Sequence, residues 1–121
     1  MQGVDRSRRV GQQIRRELAE ILPAALEGEG TGLISITSVS LSKDLRHARV
    51  FVTALASRRD SKDVIRVLNE NASALRFELG QRAKLRRTPD LIFEYDESIE
   101  YGAKMSRLLD SLDLDEADPK N

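Results

Sequence analysis

Residues 64–79 read VIRVLNENASALRFEL, and the fold turns on how this stretch is read. Val64, Leu68, Ala72, Leu75 and Leu79 recur at steps of four, four, three and four, which puts them on one face of a helix. In the middle of that stripe stand Asn69, Asn71 and Ser73, whose side chains compete for backbone hydrogen bonds and disfavour a helix interior. An apolar face thus runs on through a segment that resists being helical. The pattern predicts two helices, or one kinked near residues 71–73. It begins at a Ser61 N-cap, with Asp63 in the first turn, and ends within residues 80–85.

Two strands are predicted upstream of this pair. In residues 33–41, Ile34 and Ile36 share one phase of the alternation while Val39 and Leu41 share the other. A one-residue phase change is what a β-bulge produces, here at Thr37-Ser38. Residues 48–55 are dense in β-formers (Val50, Phe51, Val52, Thr53) and pair most simply with the first strand as an antiparallel unit. Ahead of both, Val10, Ile14, Leu18, Ile21 and Ala25 mark a helix over residues 6–22, which Pro23 should end or kink. Residues 27–32 alternate glycine with polar residues and read as a loop. Downstream, residues 91–95 form a third strand with Leu91, Phe93 and Tyr95 on one face. Ser98 then caps a last helix with the stripe Tyr101, Met105, Leu108 and Leu112. The order predicts an α+β domain over residues 1–112, a small three-stranded mixed sheet covered by helices on one face. Residues 113–121, acidic and poor in apolar side chains, are expected to be a disordered tail.

Composition excludes much chemistry. The chain has no cysteine and one histidine, His47, so neither a disulfide framework nor the usual zinc constellations can be built. No apolar run reaches the roughly 20 residues needed to span a bilayer, and no secretory h-region opens the chain, so a soluble cytoplasmic protein is expected. Catalytic groupings are poor too. His47 stands alone, and Ser42-Lys43-Asp44 lacks the separated geometry of a triad. Glu94, Asp96, Glu97 and Glu100 sit at a strand end and helix start, where acids suit the helix dipole. The expectation is a protein that is not an enzyme and uses no cofactor, metal or small-molecule substrate.

Charge is more informative. Basic and acidic residues number 20 each, but one base and five acids lie from residue 110 onward, leaving 19 against 15, or +4, before it. An acidic tail behind a basic body fits both a nucleic-acid partner and a solubilising segment. The densest cations are Arg82, Lys84, Arg86 and Arg87, with a second cluster at Arg6, Arg8, Arg9, Arg15 and Arg16, and Arg76 alone after the helix break. Lys43, Arg46 and Arg49 flank the strand connection as weaker candidates. One cation would satisfy a helix C-terminus, and four in six residues exceed that need. Phe51, Phe77, Phe93, Tyr95 and Tyr101 are all expected to be packed, which leaves little for base stacking.

The element order matches the type II KH arrangement, an RNA-binding module whose two central helices usually flank a GXXG clamp. Glycines stand at 3, 11, 28, 30, 32, 80 and 102, so no GXXG exists, and Asn71-Ala72-Ser73 occupies its place. Several strings together resemble the ribosome-binding factor A family. They are Arg9-Val10, VSLSKDLRHARVFV at 39–52, Leu79-Gly80 with Leu85-Arg86, TPDLIFEYDESI at 88–99, Gly102, and MSRLL at 105–109. They span about residues 8–112 in the right order. The chain departs from the family's Ala-X-Gly interruption, having no glycine at 71–73, and from its Asp-Pro-Arg-containing loop at 27–32.

The resemblance implies a monomeric assembly factor that binds the free 30S small subunit and its 16S rRNA transiently and assists late maturation and rRNA processing. It implies that Arg82, Lys84, Arg86 and Arg87 face RNA, helped by Arg6, Arg8, Arg9, Arg15, Arg16 and Arg76. A general KH-type RNA-binding or ribosome-associated protein and an adaptor using the acidic tail are the other classes the residues admit.

Overall fold

The computed structural model describes residues 2–120, with side chains described for residues 6–98 and 102–112. Four helices and three strands follow one another as α1 (Gln2–Ala25), β1 (Leu33–Leu41), β2 (His47–Leu55), α2 (Ser61–Glu70), α3 (Ala72–Arg82), β3 (Asp90–Tyr95) and α4 (Glu97–Lys120). β1 pairs antiparallel with β2, and β3 runs parallel on its other side, giving the order β1-β2-β3. This is the α+β mixed sheet expected of a KH-like domain.

The bulge lies where the phase change put it. Ile36 faces Val52 and Ser38 faces Phe51, so Thr37 is left unpaired. Its hydroxyl sits 3.2 Å from the Phe51 carbonyl and also meets the Asp96 carboxylate, which ties the bulge to the end of β3. With the slip absorbed, Ile34, Ile36, Val39 and Leu41 all turn to the covered face. There they meet Ala48, Val50 and Val52 of β2 and Leu91 and Phe93 of β3, packed under Ile14, Leu18, Ile21 and Leu22 of α1. Val64, Val67 and Leu68 of α2 and Leu75 and Leu79 of α3 complete the core.

The helix break is a single residue. Asn71 sits at φ −96°, ψ 3°, and its N–H reaches the carbonyls of Val67 (3.2 Å) and Leu68 (3.1 Å). Its side-chain amide donates to Val67 O at 2.8 Å, while its own carbonyl accepts from Leu75 N at 2.9 Å. Asn71 therefore closes α2 and opens α3. Asn69 has a different task. Its amide nitrogen donates to Phe93 O (3.2 Å) and its oxygen accepts from Phe93 N (2.9 Å), so the side chain pairs with the outer edge of β3 as a neighbouring strand would. Two of the three residues that made the segment a poor helix, Asn69 and Asn71, thus tie α2 to the sheet and start α3.

Several local expectations need correction. α1 begins at Gln2, ahead of the expected residue 6, and ends at Ala25, near Pro23 as expected, with Leu26 N still reaching Leu22 O at 2.9 Å. Leu22 and Leu26, not Ala25, extend its buried stripe. Asp60, one residue before Ser61, caps α2 by accepting from Asp63 N at 2.8 Å. Asp96, not Ser98, accepts from Ser98 N at 3.0 Å at the start of α4. In both, a carboxylate is the stronger acceptor for the free N–H groups and the helix dipole. Phe77 is 70% exposed, since it lies half a turn from Leu75 and Leu79. Along α4, Met105, Leu108 and Leu112 are exposed and do not form a packed stripe, and Tyr101 lies outside the described side chains. The tail expected over residues 113–121 falls on side chains outside the described ones.

If Asn69 holds the crossover against β3, Asn69→Leu leaves Phe93 N–H and C=O without their partner. It should cost about 1–3 kcal/mol in denaturant unfolding. An effect within about 0.5 kcal/mol, typical of neutral surface changes, would mean water replaces the amide.

Candidate nucleic-acid interface

The basic run gains its shape from the end of α3. Ala83 donates its N–H to Leu79 O at 2.8 Å and then turns to extended backbone (φ −91°, ψ 132°). In extended chain successive side chains alternate, so Ala83 is buried and Leu85 packs on the core while Lys84 and Arg86 project outward; Arg87, next in line, is exposed too. Gly80 lets this segment close up on the helix, because a Cβ there would lie 2.9 Å from Thr88 Oγ1.

Two arginines of the predicted set hold the ends of this segment. Arg82 donates from Nε to Glu17 Oε1 (3.2 Å) and from Nη2 to Glu20, clamping α3 to α1. The hydrogen bond that it donates to Glu17 is the main reason its guanidinium pKa is raised. Arg76 reaches Thr88 O from Nε (3.2 Å) and Nη2 (2.9 Å), and its Nε lies 3.3 Å from Asp90. Lys84, Arg86 and Arg87, between these anchors, make no ion pair among the described residues.

The clamp brings together clusters that are far apart in sequence. Arg6, Val10 and Gln13 of α1 line one groove of ≈ 550 Å³ with residues 84–87 and the β1–β2 turn at Asp44 and Leu45. Arg8, Arg9, Arg15 and Arg16 are exposed along α1 and, among the described residues, also lack ion pairs. Of the five α1 arginines, only Arg6 lines the groove. Cations with an apolar floor of Val10, Leu45 and Leu85 can meet a phosphate backbone while packing against sugars. Sequence reading missed Gln13 and the floor, for which no local signal exists, and missed Phe77, whose helical phase marks it as exposed.

Of the weaker candidates, Lys43 is exposed without an ion pair among the described residues, whereas Arg46 and Arg49 are engaged. Arg49 makes a two-point contact with Glu94 (2.6 and 2.9 Å), and its guanidinium lies 5.3 Å above the Phe51 ring on the open face of the sheet. Arg46 lies 3.9 Å from Asp44, and His47 3.8 Å from Asp90. A second cavity of ≈ 390 Å³, between Leu22, Leu26 and the glycine loop, has Glu27 as its one charged lining residue and suits an anion poorly. Among the described residues no cluster of His, Cys, Asp or Glu has the makings of a metal site, and no helix is long and apolar enough to cross a membrane.

The Arg49 hydrogen bond holds the Glu94 carboxyl below the usual glutamate value. The pair's contribution to stability is therefore present above that ordinary value and fades as pH falls through the lowered one. In Arg49→Gln, a carboxyl NMR titration should show Glu94 moving up toward the ordinary range. An unchanged titration would mean that Arg49 is free for other partners.

Comparison with known proteins bears on the family and the fold. The family model for ribosome-binding factor A matches residues 6–109. Ribosome-binding factor A of Alkalilimnicola ehrlichii is 44% identical over 106 residues, covering 87% of this chain and 82% of that one. The Natranaerobius thermophilus protein is 36% identical over 111 residues, covering 92% and 85%. Among solved structures, the crystal structure of ribosome-binding factor A from Thermus thermophilus superposes with a TM-score of 0.64 at 30% identity, covering 74% of this chain and 94% of that one. A Thermus thermophilus model fitted into a cryo-EM map of a 30S complex gives 0.61 at 31% identity, covering 72% and 91%.

Proposed function

The chain belongs to the ribosome-binding factor A family, and from that premise we propose that it is a monomeric, non-catalytic assembly factor of the cytoplasm. It binds the free 30S small subunit on its 16S rRNA, supports late maturation and rRNA processing, and then leaves. The observation that carries this reading is the convergence of Arg6 with Lys84, Arg86 and Arg87 in one groove without acidic partners among the described residues except Asp44 on its rim. Each phosphate met there releases a counterion, which supplies affinity without reading sequence.

Two features favour shape and charge over a base-reading clamp. No GXXG loop joins α2 and α3, and the outer edge of β3 at Phe93 is already paired with Asn69. The division of labour among the cations gives the proposal distinct consequences. Lys84, Arg86 and Arg87 meet phosphate, whereas Arg82 and Arg76 position the segment that carries them.

Sucrose-gradient co-sedimentation with free 30S subunits and with translating ribosomes tests the reading. The parent should travel with free subunits and be absent from translating ribosomes. Arg86→Glu with Arg87→Glu should keep the fold and weaken binding steeply. It should also lower the salt slope by roughly one unit for each phosphate that the variant no longer neutralises. Arg82→Gln should weaken binding while leaving that slope in place, because it removes a clamp and leaves every phosphate-facing cation in the chain. A double reversal that binds as tightly as the parent at physiological salt would refute the interface. Equal occupancy of free subunits and translating ribosomes would favour a general ribosome-associated protein.

A further inference from the structure

Phe77 is the one aromatic among the described side chains that stands well clear of the body. It is 70% exposed, while Phe93 is buried and Phe51 and Tyr95 are half-buried. The position is not a loose end of chain. Phe77 lies in the middle of α3, whose Leu75 and Leu79 are locked in the core, and about half a turn of helix separates it from both. The ring therefore points straight out from a rigid support. On the same face, one turn to either side, stand Ser73, Ala74 and Gln81, all exposed and none bulky enough to cover it.

Folding gives no reason for an aromatic here. A residue at the solvent pole of a helix gains nothing from a phenyl ring, and glutamine or lysine would form the helix better. The immediate chain neighbours of Phe77 are Arg76 and Glu78, both exposed. Arg76, next to it, is fixed on Thr88 and Asp90, and the same helix ends at the clamp of Arg82 before releasing Lys84. Lys84 follows Phe77 by seven residues, five helical and two extended, about 14 Å along the chain, and the segment then returns so that Thr88 meets Arg76 and Gly80 on either side of Phe77. A nucleic-acid strand whose phosphates rest on Lys84, Arg86 and Arg87 thus passes within reach of the ring.

We propose that Phe77 stacks on an unpaired base of the RNA held by residues 84–87, adding a single-strand contact to a surface that otherwise recognises phosphate. This inference rests on the RNA-binding reading above. Stacking is tolerant of sequence because every base offers a π-face, so it requires neither a GXXG clamp nor a free strand edge.

The test compares Phe77→Ala, Phe77→Leu and Phe77→Trp on three probes: free 30S subunits, a mixed-sequence single-stranded oligoribonucleotide, and a perfect RNA duplex of the same sequence. All three variants should melt with the parent, since the ring lies outside the core. Alanine and leucine should weaken binding to the single strand and to 30S subunits by roughly five- to a hundred-fold. The salt slope should stay unchanged and duplex binding unaffected. Tryptophan should bind as the parent does, and because the chain has no other tryptophan, its fluorescence should fall on binding. If alanine binds like the parent, the stacking contact does not exist. If leucine binds 30S subunits as well as tryptophan does, the ring meets an apolar protein surface and the RNA assignment is overturned. Failure of the underlying reading looks different: the Arg86→Glu, Arg87→Glu protein would then bind like the parent on every probe.

Discussion

The carboxamide of Asn69 fixes how α2, already packed on the core through Val64, Val67 and Leu68, sits against the edge of the sheet. A parallel strand pair cannot be closed by a short turn, so the chain leaving β2 must cross over in helices and return beside it as β3. The crossover needs two things at once, an apolar face toward the sheet and a bend that brings its end back to the start of β3. Val64, Val67 and Leu68 supply the first, and Asn69 holds that face in place by pairing with both backbone groups of Phe93. Two residues on, Asn71 supplies the second by ending one helix and starting the next without a loop between them. A glycine-containing connection would give more freedom. The asparagine gives a defined geometry, because its side chain bonds to Val67 O while its backbone stands near ψ 0°.

From this follows where the charge is displayed. Because α3 starts at a fixed point, its C-terminus reaches α1 where Glu17 and Glu20 meet Arg82. The extended segment after it then buries Ala83 and Leu85 and presents Lys84 and Arg86 beside Arg6. A chain with no net charge thereby brings Arg6, Lys84, Arg86 and Arg87, which make no ion pair among the described residues, into one groove, while Arg49, Arg59 and Arg66 are paired with Glu94, Asp63 and Glu70 elsewhere. Unbalanced charge on an interface serves a polyanion, and balanced charge elsewhere limits non-specific association.

Much of the fold was legible in the sequence because its signals are local. The bulge at Thr37 shows as a slip in a two-residue alternation, and the helix break as asparagines within an otherwise continuous stripe. What was misread depended on finer competition. Asp60 and Asp96 displaced the neighbouring serines as caps, and Phe77 was assigned to the core by residue type when its phase against Leu75 and Leu79 put it outside. The candidate site was legible as two separate clusters of cations. Their meeting in one groove was not, since it arises from contacts between α1 and α3 more than sixty residues apart in the chain. Nor does composition distinguish a cation that anchors, such as Arg82, from one without an ion pair among the described residues, such as Arg86.

The central claim is that α1 and the segment after α3 form a single RNA-facing surface. Hydrogen–deuterium exchange of the protein alone and bound to free 30S subunits tests it most directly. Binding should slow exchange together in residues 6–16 and in residues 83–88, and leave the glycine loop at 27–32 unchanged. Protection confined to the glycine loop or the open face of the sheet, with residues 6–16 and 83–88 exchanging as in the free protein, would contradict it.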